Sequence, residues 1–379
     1  MFKNRKNNEL YNEIFNYYFL RKKIFNKEIN INHLVFFKVI IFYIISKFEK
    51  RNHQSSKYLF VNSKFKDILI TLGKEATIIG FKTNRVFAVN NNNNFKNAAF
   101  WGNFLNFIFK YKIKKKSVWR ILEKNILDYI NKRNIQYLVV SNDSAPLERF
   151  LIYVFRKEKK KSICIQHGIN YNENYPVEFF DGNYVDELWL WSNVFYDSRK
   201  KSKQIIFGYP FKLEEKKEEF EPNSICLIGQ DFYHYSDEYG RIFLEMIDKI
   251  INEVNQKCSG YKIYYKPHPN ENIPSLLPKN ATIYKGTLQE SFQRFEFIIG
   301  INSTVLIEAL VFKKKVIQII GEDYFYVNFL EFGLSNIIHI NELYNLNEVI
   351  SNYKSSPESL IFPMFDNPGL EFRKRVECK

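Results

Sequence analysis

The sequence has little cysteine, and the four residues of this type, Cys164, Cys226, Cys258 and Cys378, lie far apart. It contains no Cys-x-x-Cys pair and no cluster of cysteine with histidine. Structural zinc sites and disulfide frameworks need such clusters, so the sequence predicts neither. Widely spaced thiols are typical of proteins that work in a reducing cytoplasm.

Long apolar runs are also missing. The most apolar stretch, Leu34–Ile45, is about a dozen residues long and contains Lys38, whereas a membrane-spanning helix needs roughly 20 residues. We expect a buried helix here; the alternative is a helix lying on a membrane surface, because basic residues flank the stretch. The segment Met1–Lys27 lacks the apolar core of a signal peptide, so none is expected.

The sequence has fewer acidic than basic residues. It contains 41 Asp and Glu and 56 Lys and Arg, which gives a net charge of +15. Such a field attracts polyanions, which include nucleic acid, anionic bilayers, acidic glycans and nucleotide-sugars. No nucleic-acid-binding motif is present, so nucleic acid is not an expected partner. The 45% content of hydrophobic residues excludes a disordered chain, and 379 residues suffice for two domains.

The most informative stretch runs from Lys262 to Ile320. A strand, a Pro-His-Pro turn, a second strand, a polar turn, an apolar helix and a third strand follow one another there. This order predicts a βαβ unit in a parallel sheet, and ligands of such sheets bind beyond the carboxyl ends of the strands. Two polar motifs fall at these ends: His268 and Asn302-Ser303-Thr304.

Both motifs suit an anion. His268 is held between two prolines, which fix the backbone and orient the imidazole. Ser303 and Thr304 precede the helix, where hydroxyls and backbone N–H groups meet the positive end of the helix dipole. The alternative for Ser303 and Thr304 is an N-cap without a ligand. Together with His268, they favour a phosphate site.

The segments Lys266-Pro-His-Pro-Asn-Glu271 and Gly300-Ile-Asn-Ser-Thr-Val-Leu-Ile-Glu-Ala-Leu310 resemble the donor-nucleotide half of bacterial GT-B glycosyltransferases. The likeness is to the group that includes sialyltransferases and capsule polysialyltransferases, and it covers roughly Asn142 to Ile320. It implies an α/β fold of the GT-B type, with two Rossmann-like domains facing a central cleft. We expect an acceptor-side domain over residues 1–215 and a nucleotide-sugar-binding domain over residues 216–379.

The resemblance also implies roles for the donor-side residues. A His-Pro motif and a Ser/Thr motif hold the phosphate of a CMP-sugar in this group, and a carboxylate of the following helix binds the ribose. Apart from the resemblance, Gly229 ends the first strand of this half, where its backbone could approach a phosphate. The expected donor residues are Gly229, His268, Pro269, Asn302, Ser303, Thr304 and Glu308.

The sequence leaves three candidates for the residue that deprotonates the acceptor. His167 lies at a strand end in Gln166-His167-Gly168, and its imidazole can take a proton at neutral pH. Asp143 ends the preceding strand and could orient that imidazole. Related teichoic-acid polymerases use a His-Gly base, whereas polysialyltransferases use an acidic pair before a glycine; here Asp181 stands alone before its glycine.

The sequence therefore predicts a glycosyltransferase of bacterial surface polysaccharide synthesis, for capsule or lipopolysaccharide. Sialic acid or another nonulosonic acid would pass from a CMP-sugar to a glycan or lipid-linked glycan. The alternatives are a polyol-phosphate transferase of the CDP-glycerol type and a non-catalytic glycan-binding assembly protein. The expected location is cytoplasmic, with the inner face of the plasma membrane as a peripheral alternative, and no cofactor is expected.

Sugar transfer is expected to continue in EDTA, because the sequence has no Asp-x-Asp motif to hold the metal ion that GT-A transferases use. The measurement is the rate of nucleotide release from the donor with and without chelator. Loss of this activity in EDTA, followed by its return on addition of Mg²⁺ or Mn²⁺, would show that a metal ion takes part.

Overall fold

The structure is a computed structural model, and it divides the chain into two compact units. One consists of Met1–Lys212 with Pro363–Lys379, and the other of Leu213–Phe362. The structure describes residues 55–61, 64–79, 116–144, 146–168, 182–212, 218–230, 232, 237–269, 271, 278, 280–301, 303–321, 329–332, 334, 336–355 and 362–378.

Twelve strands and eight α-helices lie in the described residues. The strands are β1 (Tyr58–Val61), β2 (Ala76–Ile79), β3 (Tyr137–Val140), β4 (Lys161–Ile165), β5 (Glu187–Leu190), β6 (Lys203–Ile206), β7 (Glu221–Ile228), β8 (Lys262–Lys266), β9 (Thr282–Ile283), β10 (Phe295–Gly300), β11 (Lys315–Ile320) and β12 (Ile337–His339). The helices are α1 (Lys66–Leu72), α2 (Lys116–Lys132), α3 (Pro146–Lys157), α4 (Asp237–Lys257), α5 (Leu288–Arg294), α6 (Val305–Val311), α7 (Leu346–Ser351) and α8 (Pro368–Glu377).

The first unit is built on a parallel sheet with the strand order β2-β1-β3-β4-β5-β6. Side chains alternate between its two faces, as the period of two in a strand requires. On β1, Leu59 and Val61 point to one face, and Tyr58 and Phe60 point to the other. Helices α2 and α3 cover the first face, and α1 and α8 cover the second. Two covered faces explain why the central strands β1 and β3 carry apolar or aromatic residues at every position.

Helix α8 completes the core of the first unit although it comes last in the chain. Its Phe372 is wholly buried, and its ring centroid lies 5.4 Å from that of Tyr58 and 5.3 Å from that of Trp189. The start of the helix is fixed by Asn367, whose side chain accepts a hydrogen bond from the backbone N–H of Leu370 at 3.0 Å. The last helix is thus part of this sheet's second helical layer.

The second unit contains a separate parallel sheet with the order β12-β11-β10-β7-β8-β9. Helix α4 is amphipathic and buries Phe243, Ile247 and Val254 against one face of this sheet, where α7 also packs. Helix α6 returns from the end of β10 and packs on β10 and β11. The turn between them is tight, because a Cβ on Gly300 would lie 3.1 Å from Leu306 Cδ2.

The boundary between the units differs from expectation in one respect. The chain passes to the second unit after Lys212, close to the expected boundary at 215/216, but the second unit ends at Phe362 rather than at residue 379. The expected second domain therefore included α8 wrongly, since the apolar side of that helix packs on the first sheet. None of the described helices combines the length and the apolar composition that crossing a membrane would require.

Replacing Phe372 by alanine is expected to lower the free energy of unfolding of the first unit by about 3–5 kcal/mol, because it empties a wholly buried site. The measurement is urea unfolding followed by tryptophan fluorescence, since all four tryptophans belong to this unit. Leu370→Ala is the control; this side chain of the same helix is 45% exposed and should change stability by less than about 0.5 kcal/mol. Equal effects of the two changes would contradict the packing of α8 described above.

Candidate functional site

Three neighbouring strands of the second sheet bring the expected donor residues to one edge. β7 lies between β8 and β10, and all three run parallel, so their carboxyl ends meet at the same side of the sheet. Gly229 follows β7, His268 follows β8, and Ser303 follows β10. The register pairs Ile228 with Lys266, which puts Gly229 beside the start of the Pro-His-Pro turn. The sequence motifs are therefore neighbours at one sheet edge.

The Pro-His-Pro turn is held by Glu271, for which the sequence motif by itself predicts no role. Its carboxylate accepts a hydrogen bond from the backbone N–H of His268 at 2.6 Å, and the backbone N–H of Glu271 donates to the carbonyl of His268 at 2.8 Å. The same carboxylate accepts from the hydroxyl of the wholly buried Tyr265 at 2.9 Å. Burial and the neighbouring Glu271 charge raise the pKa of Tyr265, so this hydroxyl stays protonated and donates. The backbone of His268 is thereby fixed on both sides.

Gly229 has a packing reason to be glycine. A Cβ at this position would lie 2.3 Å from a carboxylate oxygen of Glu271 and 2.5 Å from the hydroxyl of Tyr265. Its backbone N–H donates to the carbonyl of Lys266 at 2.8 Å. The glycine therefore lets the end of β7 approach the carboxylate that holds the His268 turn.

The Ser303–Thr304 turn is also supported from the sheet. Gln318, wholly buried on β11, donates from its amide to the carbonyl of Ile301 at 2.9 Å and accepts from the backbone N–H of Phe329 at 3.0 Å. Both Ser303 and Thr304 are partly exposed. The hydroxyl of Ser303 accepts from the backbone N–H of Val305 at 3.3 Å, so Ser303 makes a capping contact at the start of α6.

The remaining expected donor residues are placed as follows. Glu308 lies in the first turn of α6 and is partly exposed, and Pro269 is exposed at the tip of the His268 turn. Asn302 lies outside the described residues. In the described parts of the chain, no three His, Cys, Asp or Glu side chains are grouped closely enough to hold a metal ion.

His167 lies at the carboxyl edge of the first sheet, directly after β4, and its position is fixed by the residue before it. The side chain of Gln166 accepts from the backbone N–H of Trp191 at 2.9 Å, and the indole N–H of Trp191 donates to the carbonyl of Gln166 at 2.7 Å. These two hydrogen bonds tie the end of β4 to the end of β5. His167 is therefore presented by a rigid strand end.

The imidazole of His167 is partly exposed as a whole, but its Nδ1 atom is shielded from solvent and has no hydrogen-bond partner among the described residues. Burial lowers the pKa of His167 to about 3, and the charge of Lys64 lowers it further, while a hydrogen bond to the backbone of Ser141 raises it. The side chain is consequently neutral at physiological pH. Burial disfavours the charged form of this imidazole, in contrast to that of an exposed histidine.

Asp143 is wholly buried and binds backbone groups. Its carboxylate accepts hydrogen bonds from the N–H groups of Gly182 at 3.1 Å, Tyr184 at 2.7 Å and Val185 at 3.1 Å. Burial raises the pKa of this carboxyl, against the effect of the three hydrogen bonds. We interpret Asp143 as a structural residue that holds the segment before β5. The third candidate base, Asp181, lies outside the described residues.

Glu148 and Lys64 stand at the same edge, and neither was singled out from the sequence. Glu148 lies in the first turn of α3 and is partly exposed, and Lys64 follows β1 and is exposed. Burial raises the pKa of Glu148 to about 7, the charge of Asp143 acts in the same direction, and Lys64 opposes it. No local motif marks Glu148 in the sequence; an acidic residue in a first helical turn is ordinary.

Comparisons with known proteins bear on the fold. No protein-family model matches the chain. An uncharacterised protein of Methanocaldococcus jannaschii is 26% identical over 320 residues, which cover 79% of this chain. The chain spans 57% of the length of that relative.

Two solved structures share the architecture. UDP-GlcNAc 2-epimerase from Methanocaldococcus jannaschii gives a TM-score of 0.52 with 13% identity over 84% of this chain and 99% of that one. A protein assigned as UDP-N-acetylglucosamine 2-epimerase from Listeria monocytogenes gives a TM-score of 0.52 with 12% identity over 85% and 95%. At such identities the likeness concerns the fold alone. The expectation of an α/β fold of the GT-B type, with two Rossmann-like domains, is confirmed.

Asp143→Asn is expected to destabilise the first unit by about 1–3 kcal/mol, because the amide nitrogen that replaces one oxygen cannot accept a hydrogen bond from the buried backbone. The measurement is urea unfolding, again by tryptophan fluorescence. Asp128→Asn, at an exposed position of α2, is the matched control and should be neutral within about 0.5 kcal/mol. Wild-type stability of Asp143→Asn would refute the structural role.

Proposed function

We propose that the protein is a metal-independent glycosyltransferase of bacterial surface polysaccharide synthesis, with a nucleotide-sugar as donor and a glycan as acceptor. The expected donor is a CMP-activated sialic or other nonulosonic acid. The observation that carries the proposal is the meeting of Gly229, His268 and the Ser303–Thr304 turn at one edge of a parallel sheet.

The chemistry of this edge suits a leaving phosphate. In the transfer, the acceptor oxygen bonds to the anomeric carbon, and the bond from that carbon to the phosphate oxygen breaks with its electron pair going to the nucleotide. Negative charge then grows on the phosphate. His268 and the hydroxyls of Ser303 and Thr304 would donate hydrogen bonds to it, from backbone that Glu271 and Gln318 hold in place.

Preorganisation is the physical reason for expecting a large effect from so few groups. Donors that are already oriented when charge develops do not have to reorganise during the reaction. Glu308, one helical turn beyond Thr304, would bind the ribose. The net charge of +15 favours the capture of an anionic donor and of an acidic acceptor.

Two other functions are alternatives to sugar transfer. A polyol-phosphate transferase would use the same His-Gly, His-Pro and hydroxyl motifs but would form a phosphodiester, so the product distinguishes it. A non-catalytic glycan-binding protein would bind no nucleotide. Because both similar structures carry UDP-GlcNAc epimerase names, UDP belongs in any nucleotide screen beside CMP and CDP.

His268→Ala and the double change Ser303→Ala with Thr304→Ala are each expected to reduce kcat by ~10²–10³, the usual effect of losing a preorganised donor. Nucleotide release from CMP-N-acetylneuraminic acid and from UDP-N-acetylglucosamine is measured for each variant. Thermal unfolding with CMP, CDP, UDP, GDP and dTDP identifies the nucleobase that the donor carries, since a ligand that binds the native state raises the unfolding temperature.

His339→Ala and Ser351→Ala serve as controls, because both side chains belong to the second unit and bond locally to the backbone. They should keep wild-type turnover. Wild-type turnover in His268→Ala and in the Ser303/Thr304 variant would refute the donor site. Failure of the wild-type protein to bind any of the nucleotides would favour the non-catalytic alternative.

A further inference from the structure

Glu271 places a carboxylate at the sheet edge where the proposed phosphate site lies. Its side chain fills the space beside Gly229, where a Cβ would lie 2.3 Å from Glu271 Oε2. The hydroxyl of the wholly buried Tyr265 is 2.9 Å from Oε1 and 3.1 Å from Oε2. The carboxylate therefore stands at the end of β7, the strand between the one that leads to His268 and the one that leads to the Ser303–Thr304 turn.

Three backbone N–H groups at this edge are already bonded within the protein. The N–H of Gly229 donates to the carbonyl of Lys266 at 2.8 Å, and that of His268 donates to Glu271 Oε2 at 2.6 Å. The N–H of Glu271 donates to the carbonyl of His268 at 2.8 Å. Phosphate-binding loops commonly hold the phosphates of a nucleotide with such N–H groups. These three are occupied, so the proposed site relies on the side chains of His268 and of the Ser303–Thr304 turn.

The Glu271 carboxylate is held in its ionised form and in a fixed place. Both of its oxygens accept hydrogen bonds, and hydrogen bonds to the charged form favour that form. Gly229, Tyr265, His268 and Glu271 all belong to the unit Leu213–Phe362, so the arrangement depends on this unit alone.

A fixed negative charge limits what can bind beside it. Each further phosphate group of a nucleotide brings at least one more negative charge, and here it would meet the Glu271 carboxylate without help from the Gly229 N–H. Repulsion of this kind is a common way to reject a wrong ligand. Resting on the proposed function, we propose that Glu271 is a specificity-determining residue: its carboxylate makes the site accept a nucleotide with a single phosphate and reject a nucleoside diphosphate.

The test compares the affinities of mono- and diphosphates that carry the same base. Dissociation constants are measured by titration calorimetry for CMP and CDP, UMP and UDP, GMP and GDP, and dTMP and dTDP. EDTA is present throughout, since a divalent ion would neutralise the second phosphate. The wild-type protein should bind the monophosphate of its preferred base at least about 10-fold more tightly than the diphosphate, the effect of one like charge at short range.

Glu271→Gln removes the charge and keeps the shape of the side chain. The amide oxygen can accept from the N–H of His268, and the amide N–H can donate to the hydroxyl oxygen of Tyr265. The preference for the monophosphate should fall by roughly 10-fold. The ratio of the two affinities is the quantity to compare, because a variant that is partly unfolded binds both nucleotides more weakly by the same factor. Asp248→Asn, at an exposed position of α4, removes one charge from the same unit and should leave the ratio unchanged.

Tyr265→Phe shows whether the charge or its support causes the preference. This change removes the hydroxyl that bonds to Glu271 and leaves the carboxylate. It should lower the unfolding temperature, because a hydrogen bond to a charged group is lost, and keep the preference for a single phosphate. A preference that is lost in Tyr265→Phe and kept in Glu271→Gln would overturn the role of the charge.

The outcomes separate this inference from the proposed function. A wild-type protein that binds the diphosphate as tightly as the monophosphate, or a Glu271→Gln variant with the wild-type ratio, would overturn the role of Glu271. Sugar transfer from UDP-N-acetylglucosamine would in that case still support a glycosyltransferase. A wild-type protein that binds none of these nucleotides and releases none from either donor would overturn the transferase proposal, and the role of Glu271 with it.

Discussion

The carboxyl edge of the first sheet depends on the Asp143 carboxylate and its three backbone hydrogen bonds. Burying a carboxylate is costly unless its oxygens are fully bonded, and here they are. The bonds fix the segment from Gly182 to Val185 against the end of β3. Gly182 is suited to this close contact: its φ is +93°, and a Cβ there would lie 2.6 Å from Leu188 Cδ2.

The second unit repeats the same physical solution with other residues. Glu271 binds the backbone of the His268 turn, and Gln318 binds the backbone before the Ser303 turn. In both units, polar side chains hold the backbone near the strand ends, and other, partly exposed polar side chains lie at those ends. Groups that must act on a ligand gain precision from such support, because their backbone no longer has to be ordered during binding.

Local signals in the sequence predicted much of the fold. The strands and turns around His268 and Ser303 follow from β-rich runs, prolines and a helix start, all readable within a few residues. The electrostatic environment at the carboxyl edge of the first sheet could not be predicted in this way. The pKa of His167 and that of Glu148 depend on burial and on Lys64, which meets them only when β1, β3 and β4 pair. The end of the second domain was mispredicted for a similar reason, since the apolar residues of α8 do not indicate which sheet they cover.

The placement of α8 has a consequence for how the chain folds during synthesis. A domain that is continuous in sequence can fold as it leaves the ribosome, and N-terminal domains usually do so first. Here the first unit needs Phe372 to close its core, whereas Leu213–Phe362 is complete before that residue is made. The segment Leu213–Phe362 is therefore free to fold first, and until α8 has been synthesised the aromatic surface of Tyr58, Phe60 and Trp189 lacks its cover.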